Sequence, residues 1–98
     1  RTNVNSGVTM PVISMFYGIM ILVFYFDNKK HNLPHIHAQY AEHEAIVGID
    51  DGEVLEGSLP RSKIRLDQAW VEIHREDLLA NWKLTVEGRQ PFKIEPLR

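Results

Sequence analysis

Apolar periodicity along this chain predicts an α+β fold, a small antiparallel β-sheet meander packed against one long or two consecutive C-terminal helices. Three observations carry that expectation. The first half holds short runs rich in β-branched and aromatic residues, divided by Gly18, by a polar stretch over 27–33 and by residues 41–43. Asp51-Gly52 is a strong hairpin signal between two further short runs. After Pro60 the apolar residues Ile64, Trp70, Val71, Ile73, Leu78, Trp82 and Val86 recur near helical spacing until Gly88 offers a stop.

Taken in order, residues 1–9 are polar, Asn-rich and aperiodic, and are expected to be a disordered upstream or cloning-derived extension. Residues 10–98 are expected to form a single α+β domain, because a 98-residue chain with 44% apolar and 24% charged residues can fill one core. Residues 12–16 and 19–26 read as strands, the second buried on both faces. Both lie in an uncharged run, 10–26, that Pro11, Ser14 and Gly18 interrupt and that falls short of the about 20 apolar residues of a spanning helix. No membrane partner is expected. Pro34 ends the polar loop by forcing Leu33 into extended geometry, and a third strand runs over 35–40. Strands over 44–50 and 53–55 complete the meander. The helical span 60–88 is either continuous or bent near His74, and Phe92-Lys93-Ile94 adds a short edge strand or a tail packed on the helix.

Bulk composition narrows the chemistry. A formal charge of -2 and a pI near 6.2 give no electrostatic footprint for wrapping nucleic acid, although local basic patches remain open. The absence of cysteine excludes disulfides and thiolate metal sites and fits a reducing, cytoplasmic location. No Gly-x-Ser-x-Gly elbow, P-loop or dinucleotide fingerprint is present, so covalent and nucleotide-cofactor chemistry drop out.

What remains is His31-Asn32-Leu33-Pro34-His35-Ile36-His37, three imidazoles in seven residues at the mouth of a strand. Alternation sends His35, His37 and Gln39 to one face and Ile36, Ala38 and Tyr40 to the other. With Ala41 and Glu42 at the turn, Gln39 pairs with Glu44, His37 with Ile46 and His35 with Gly48. Ala45, Val47 and Ile49 then join the core face, and Glu44 lies diagonal to His37. Gly48 is expected to leave open space above His35, with both imidazoles reachable by solvent. His31, His35 and His37 are therefore the candidate acid/base residues of a metal-free reaction needing no cofactor. Alternatively His35 and His37 bind one divalent metal, with His31 or Glu44 as third ligand. A third reading leaves them as polar residues beside a proline turn.

Other groups have plainer explanations. Glu44, Asp50, Asp51 and Glu53 form a solvated acidic hairpin edge, His43 a half-buried packing residue, and His74 a core or interhelix histidine. Arg61, Lys63 and Arg65 open the helical span as a solvated face able to meet a phosphate or an acidic partner, while Trp70 and Trp82 read first as core.

Several segments together resemble a known family: residues 10–19, Pro34-His35-Ile36-His37-Ala38, the stretch 52–60, Trp70-Val71-Glu72-Ile73-His74, and Asn81-Trp82. They are similar to the small bacterial family called domain of unknown function 4160, over essentially residues 10–98. Its members usually carry a shorter Asp-His-x-Pro-Pro-His-x-His-type loop; here Lys29-Lys30 lengthens it and Leu33 replaces a first proline. The resemblance implies a component of a toxin–antitoxin-like two-gene module, with a small protein partner encoded nearby and RNA as a target. Under it the first reading is metal-free RNA cleavage by the histidines. The alternatives are a divalent-metal hydrolase and a non-catalytic protein-binding module using the helix surface or a free sheet edge.

Overall fold

The computed structural model describes residues 11–27 and 32–98. His31 and the expected extension over 1–9 lie outside the described residues. Strands β1 (Val12–Phe16), β2 (Ile19–Leu22), β3 (His35–Tyr40), β4 (His43–Gly48) and β5 (Val54–Ser58) form one antiparallel sheet in chain order, followed by helices α1 (Arg61–Ile73) and α2 (Arg75–Val86). The α+β meander with two consecutive helices is thus the observed architecture. No helix among the described residues is long and apolar enough to cross a membrane.

Turn chemistry fixes the registers. Tyr17 and Gly18 both have positive φ, 50° and 80°, as a two-residue hairpin loop between Phe16 and Ile19 requires. Ala41, at φ 52°, performs the same task between the paired residues Tyr40 and His43. The β3–β4 ladder therefore has the expected register: Gln39 opposite Glu44, His37 opposite Ile46, His35 opposite Gly48. At the far side, Gly57 has φ 74° in the bulged β4–β5 ladder, and a side chain there would collide with the Glu44 carbonyl oxygen.

The second strand is shorter than its composition suggests. It ends at Leu22 rather than at residue 26; the Val23 N–H still reaches Pro11 O at 3.1 Å, but the Phe26 N–H donates to Thr85 O of α2 at 2.9 Å. With Phe26 at φ 57°, the chain turns out of the sheet toward the helix end. β4 ends at Gly48; single bonds from Gly48 N–H to Glu53 O and from Ile49 N–H to Pro34 O follow, and Pro34 has no N–H with which to continue the ladder. β5 runs on to Ser58, beyond the expected residue 55, and is largely exposed.

One sheet face meets the helices. Ile21, Ile36, Ala38, Ala45 and Val47 are buried against Trp70, Val71 and Leu78. The Trp70 ring lies 5.2 Å from that of Phe16, and its indole N–H donates to Glu95 O at 2.8 Å. The helical span bends at His74, whose N–H closes α1 on Trp70 O and whose carbonyl accepts from Leu78 N of α2. His74 is half-buried with its ring 5.4 Å from Trp70, an interhelix position; His43 is also half-buried. Lys63 is not merely solvated, since its Nζ donates to Tyr17 O at 3.0 Å and sits over the Tyr40 ring, whereas Arg61 and Arg65 are exposed. After α2 the chain returns as a tail: Ile94 N–H donates to Ile13 O, and the Asn81 amide exchanges two hydrogen bonds with the Phe92 backbone.

Asp67 is the exception inside this interface. It sits in α1, fully buried, and neither carboxylate oxygen has a hydrogen-bond partner. Loss of hydration raises its pKa from 3.8 to about 7, so the folded state holds the neutral acid under mildly acidic conditions. A carboxyl whose folded pKa is raised contributes most stability at low pH and loses it as pH climbs from the unfolded value through the folded one. Urea unfolding should therefore show the native chain losing roughly 2–3 kcal/mol between pH 5 and pH 8 relative to Asp67→Asn, which cannot ionise. Equal pH slopes in the two proteins would contradict this. Trp70→Ala, measured in the same way, should cost about 3–5 kcal/mol through the core.

Candidate metal centre

His35 and His37 emerge from the same face of β3, two residues apart, while Ile36 and Ala38 point into the core. Asp27 reaches them from the segment that leaves β2. The same Phe26–Thr85 bond that ends the strand carries the next residue across the polar sheet face. On the way Phe24 stacks on His37, ring centroids 4.0 Å apart and planes 2° from parallel. Trp82 of α2 lies 4.8 Å from the His35 ring.

Both imidazoles converge on one oxygen. Asp27 Oδ2 is 2.8 Å from His35 Nε2 and 2.7 Å from His37 Nε2. The other ring nitrogens face further acceptors: His35 Nδ1 donates to Leu33 O at 2.7 Å, and His37 Nδ1 lies 3.4 Å from Glu44 Oε2. Asp27, His35 and His37 each offer one donor atom, all within 4.8 Å of one another, and form the one group of three potential metal ligands among the described residues. Neutral imidazoles and a carboxylate suit zinc and the other first-row divalent ions.

Three expectations need correction. The histidines share a sheet face, but they are not solvent-reachable: His35 is 1% and His37 6% exposed, covered by Phe24, Trp82 and Asp27. Gly48 does not leave open space, because the hairpin folds back and brings Asp51 Oδ1 to 3.2 Å and Glu53 O to 3.7 Å from where a Cβ would sit. Glu44 does not share a ligand position with the two Nε2 atoms; it faces the opposite edge of His37. The carboxylate that joins them is Asp27, with a side chain 23% exposed. A sequence signal for it existed, since Asp27 is the first charged residue after the apolar run. Asp50, Asp51 and Glu53 are exposed, as a solvated hairpin edge should be, and Asp51 Oδ1 accepts from Glu53 N–H.

No curated protein and no solved structure matches the chain. The family model described as Domain of unknown function (DUF4160) matches residues 18–83, which include β2 to α1, most of α2, and all three converging side chains. On that match, the chain belongs to the DUF4160 family.

Proposed function

We propose that this protein is a divalent-metal hydrolase whose ion is held by Asp27, His35 and His37. The observation that carries the reading is the convergence of both Nε2 atoms on a single carboxylate oxygen while both Nδ1 atoms face other acceptors. The Leu33 carbonyl can only accept, so His35 Nδ1 bears a hydrogen. A neutral His35 then turns its Nε2 lone pair toward Asp27, an arrangement that needs a positive centre between the two atoms. Either extra protons on the rings or a metal ion can supply it. One divalent ion in place of two Nε2 protons leaves the charge of the cluster unchanged. The His35 Nδ1 bond to Leu33 O matches the outer contact that orients a metal-bound histidine, and Glu44 lies 3.4 Å from the corresponding atom of His37.

Distances fit as well. The two Asp27 Oδ2 contacts, 2.8 and 2.7 Å, are shorter than the roughly 3.4 Å between ligands of a tetrahedral ion, and all three donor atoms lie within 4.8 Å, so these side chains would hold an ion after small adjustments. Such an ion would supply Lewis acidity and lower the pKa of a water at its open position. The chain's own contributions are neutral ligands, a nearly dry wall of Phe24 and Trp82, and an Asp27 side chain on the solvent side. The family resemblance supplies the setting, a cytoplasmic toxin–antitoxin-like pair with a small protein partner and an RNA phosphodiester as substrate. Metal-free acid/base cleavage is less favoured, because it needs an imidazole nitrogen open to substrate and both rings are buried. The binding-module alternative rests on the exposed β5 edge and on Ile73, 65% exposed at the helix bend.

Zinc, cobalt(II), nickel and manganese titrated calorimetrically should bind at one site per chain. At 100-fold excess over Kd the ion should stabilise the fold by about 2.7 kcal/mol, seen as a higher melting temperature. Asp27→Asn and His37→Gln should lose both effects, and cleavage of a single-stranded RNA oligonucleotide should vanish with chelator and in Asp27→Asn. RNA cleavage that survives chelation would restore the metal-free reading, and absence of any metal effect would remove the present one.

A further inference from the structure

We propose that Glu44 is the positioning residue of this centre, holding a hydrogen on His37 Nδ1 so that Nε2 is presented to the ion as a lone pair. The inference rests on the metal reading and deepens it. The two histidines are anchored by different means. His35 Nδ1 donates to a backbone carbonyl, which the fold itself fixes. His37 Nδ1 is buried, lacks a hydrogen bond within normal distance, and has the Glu44 carboxylate 3.4 Å away. The stacked Phe24 ring fixes the plane of His37, but a ring face is indifferent to which nitrogen carries the hydrogen. That choice falls to the carboxylates at the two edges, Asp27 at Nε2 and Glu44 at Nδ1.

Their effects on the ring oppose each other. A hydrogen bond from Nε2–H to Asp27 occupies both the ligand nitrogen and the ligand oxygen, whereas Nδ1–H to Glu44 leaves both for a metal. Without Glu44 the first tautomer prevails and the ion must displace it. The fold has means to keep Glu44 in place. Its backbone is paired with Gln39 and Ser58 on either side, two residue pairs from His37–Ile46 and on the same face, and Gly57 lets β5 approach the Glu44 carbonyl closely. The side chain is 49% exposed, so it is free to close the 3.4 Å gap to Nδ1, and its replacement removes no core packing.

Cobalt(II) titration followed by visible absorption, with competition against a chelator of known affinity, tests this on the full chain. Glu44→Ala should bind cobalt 10–100-fold more weakly than the native protein, the range for losing an outer-contact partner of a ligand histidine. Glu44→Gln, whose amide oxygen still accepts from Nδ1–H, should recover most of that loss. Metal-free melting temperatures of both variants should stay near the native value, as for exposed substitutions. Native-like affinity in Glu44→Ala would overturn the role of Glu44 while leaving the centre intact. Glu44→Gln as weak as Glu44→Ala would also overturn it, by showing that net charge rather than hydrogen-bond acceptance matters. A native protein that binds no cobalt would remove the centre and this inference together.

Discussion

A slip of one residue between β3 and β4 would turn both imidazoles into the core and push Ile36, Ala38, Ala45 and Val47 toward solvent. Much else in the molecule depends on that slip not occurring. The two-residue loop at Ala41 and Glu42 closes the ladder so that Tyr40 faces His43, and the apolar set then falls on the helix side. Burial of those four side chains, each at 1% exposure or less, locks the register. The polar face follows without further specification: His35, His37 and Glu44 have nowhere else to be. Site geometry here is a by-product of core packing, which is why a small sheet can hold polar groups in fixed relation without a dedicated scaffold.

The second constraint is where β2 stops. Had it continued, Phe24 and Tyr25 would have extended the ladder with β3 and Asp27 would have run on past the mouth of the histidine strand. Instead the backbone bond from Phe26 to Thr85 turns the chain over the sheet, so that one excursion delivers the stacked Phe24 and the Asp27 carboxylate together. Helix α2 contributes Trp82 from the other direction. The polar sheet face thus becomes a second, smaller interior. A carboxylate in such a place interacts more strongly with nearby ring N–H groups than it would in water, because the surrounding dielectric is low.

How much of this is legible in the sequence depends on whether the cause is local. The β3–β4 register is, because alternation in His35-Ile36-His37-Ala38 and Ala45-Ile46-Val47 and the short turn between them are all contained in neighbouring residues. The bend at His74 is legible only in part, since the apolar spacing over 60–88 admits a continuous helix as well as a bent pair. Burial of the histidines is not, since it is imposed by Phe24 and Trp82, which are distant along the chain and read simply as apolar. Asp27 escapes because it belongs to no periodic element, and its position depends on the hydrogen bond from the preceding Phe26 to Thr85, 59 residues further on. Gly48 misleads in another way: an absent side chain suggests a vacancy, yet the hairpin returns through that space. Asp67 is invisible as a buried acid, since a charged residue in a helix reads as surface by default.

The tail beyond α2 bears on what counts as one unit of this family. Residues 92–95 lie outside the matched span 18–83, yet they supply the acceptor for the Trp70 indole and both partners of the Asn81 amide, two fully buried side chains inside that span. The edge strand β1 likewise precedes the span and gives Ile13 O to the tail. Sequence likeness and structural self-sufficiency therefore have different borders. A segment trimmed to 18–83 would strip the Trp70 indole and the Asn81 carboxamide of their protein partners and uncover the outer edge of β2. The recognisable motif is a part, and the smallest piece able to stand alone is longer at both ends.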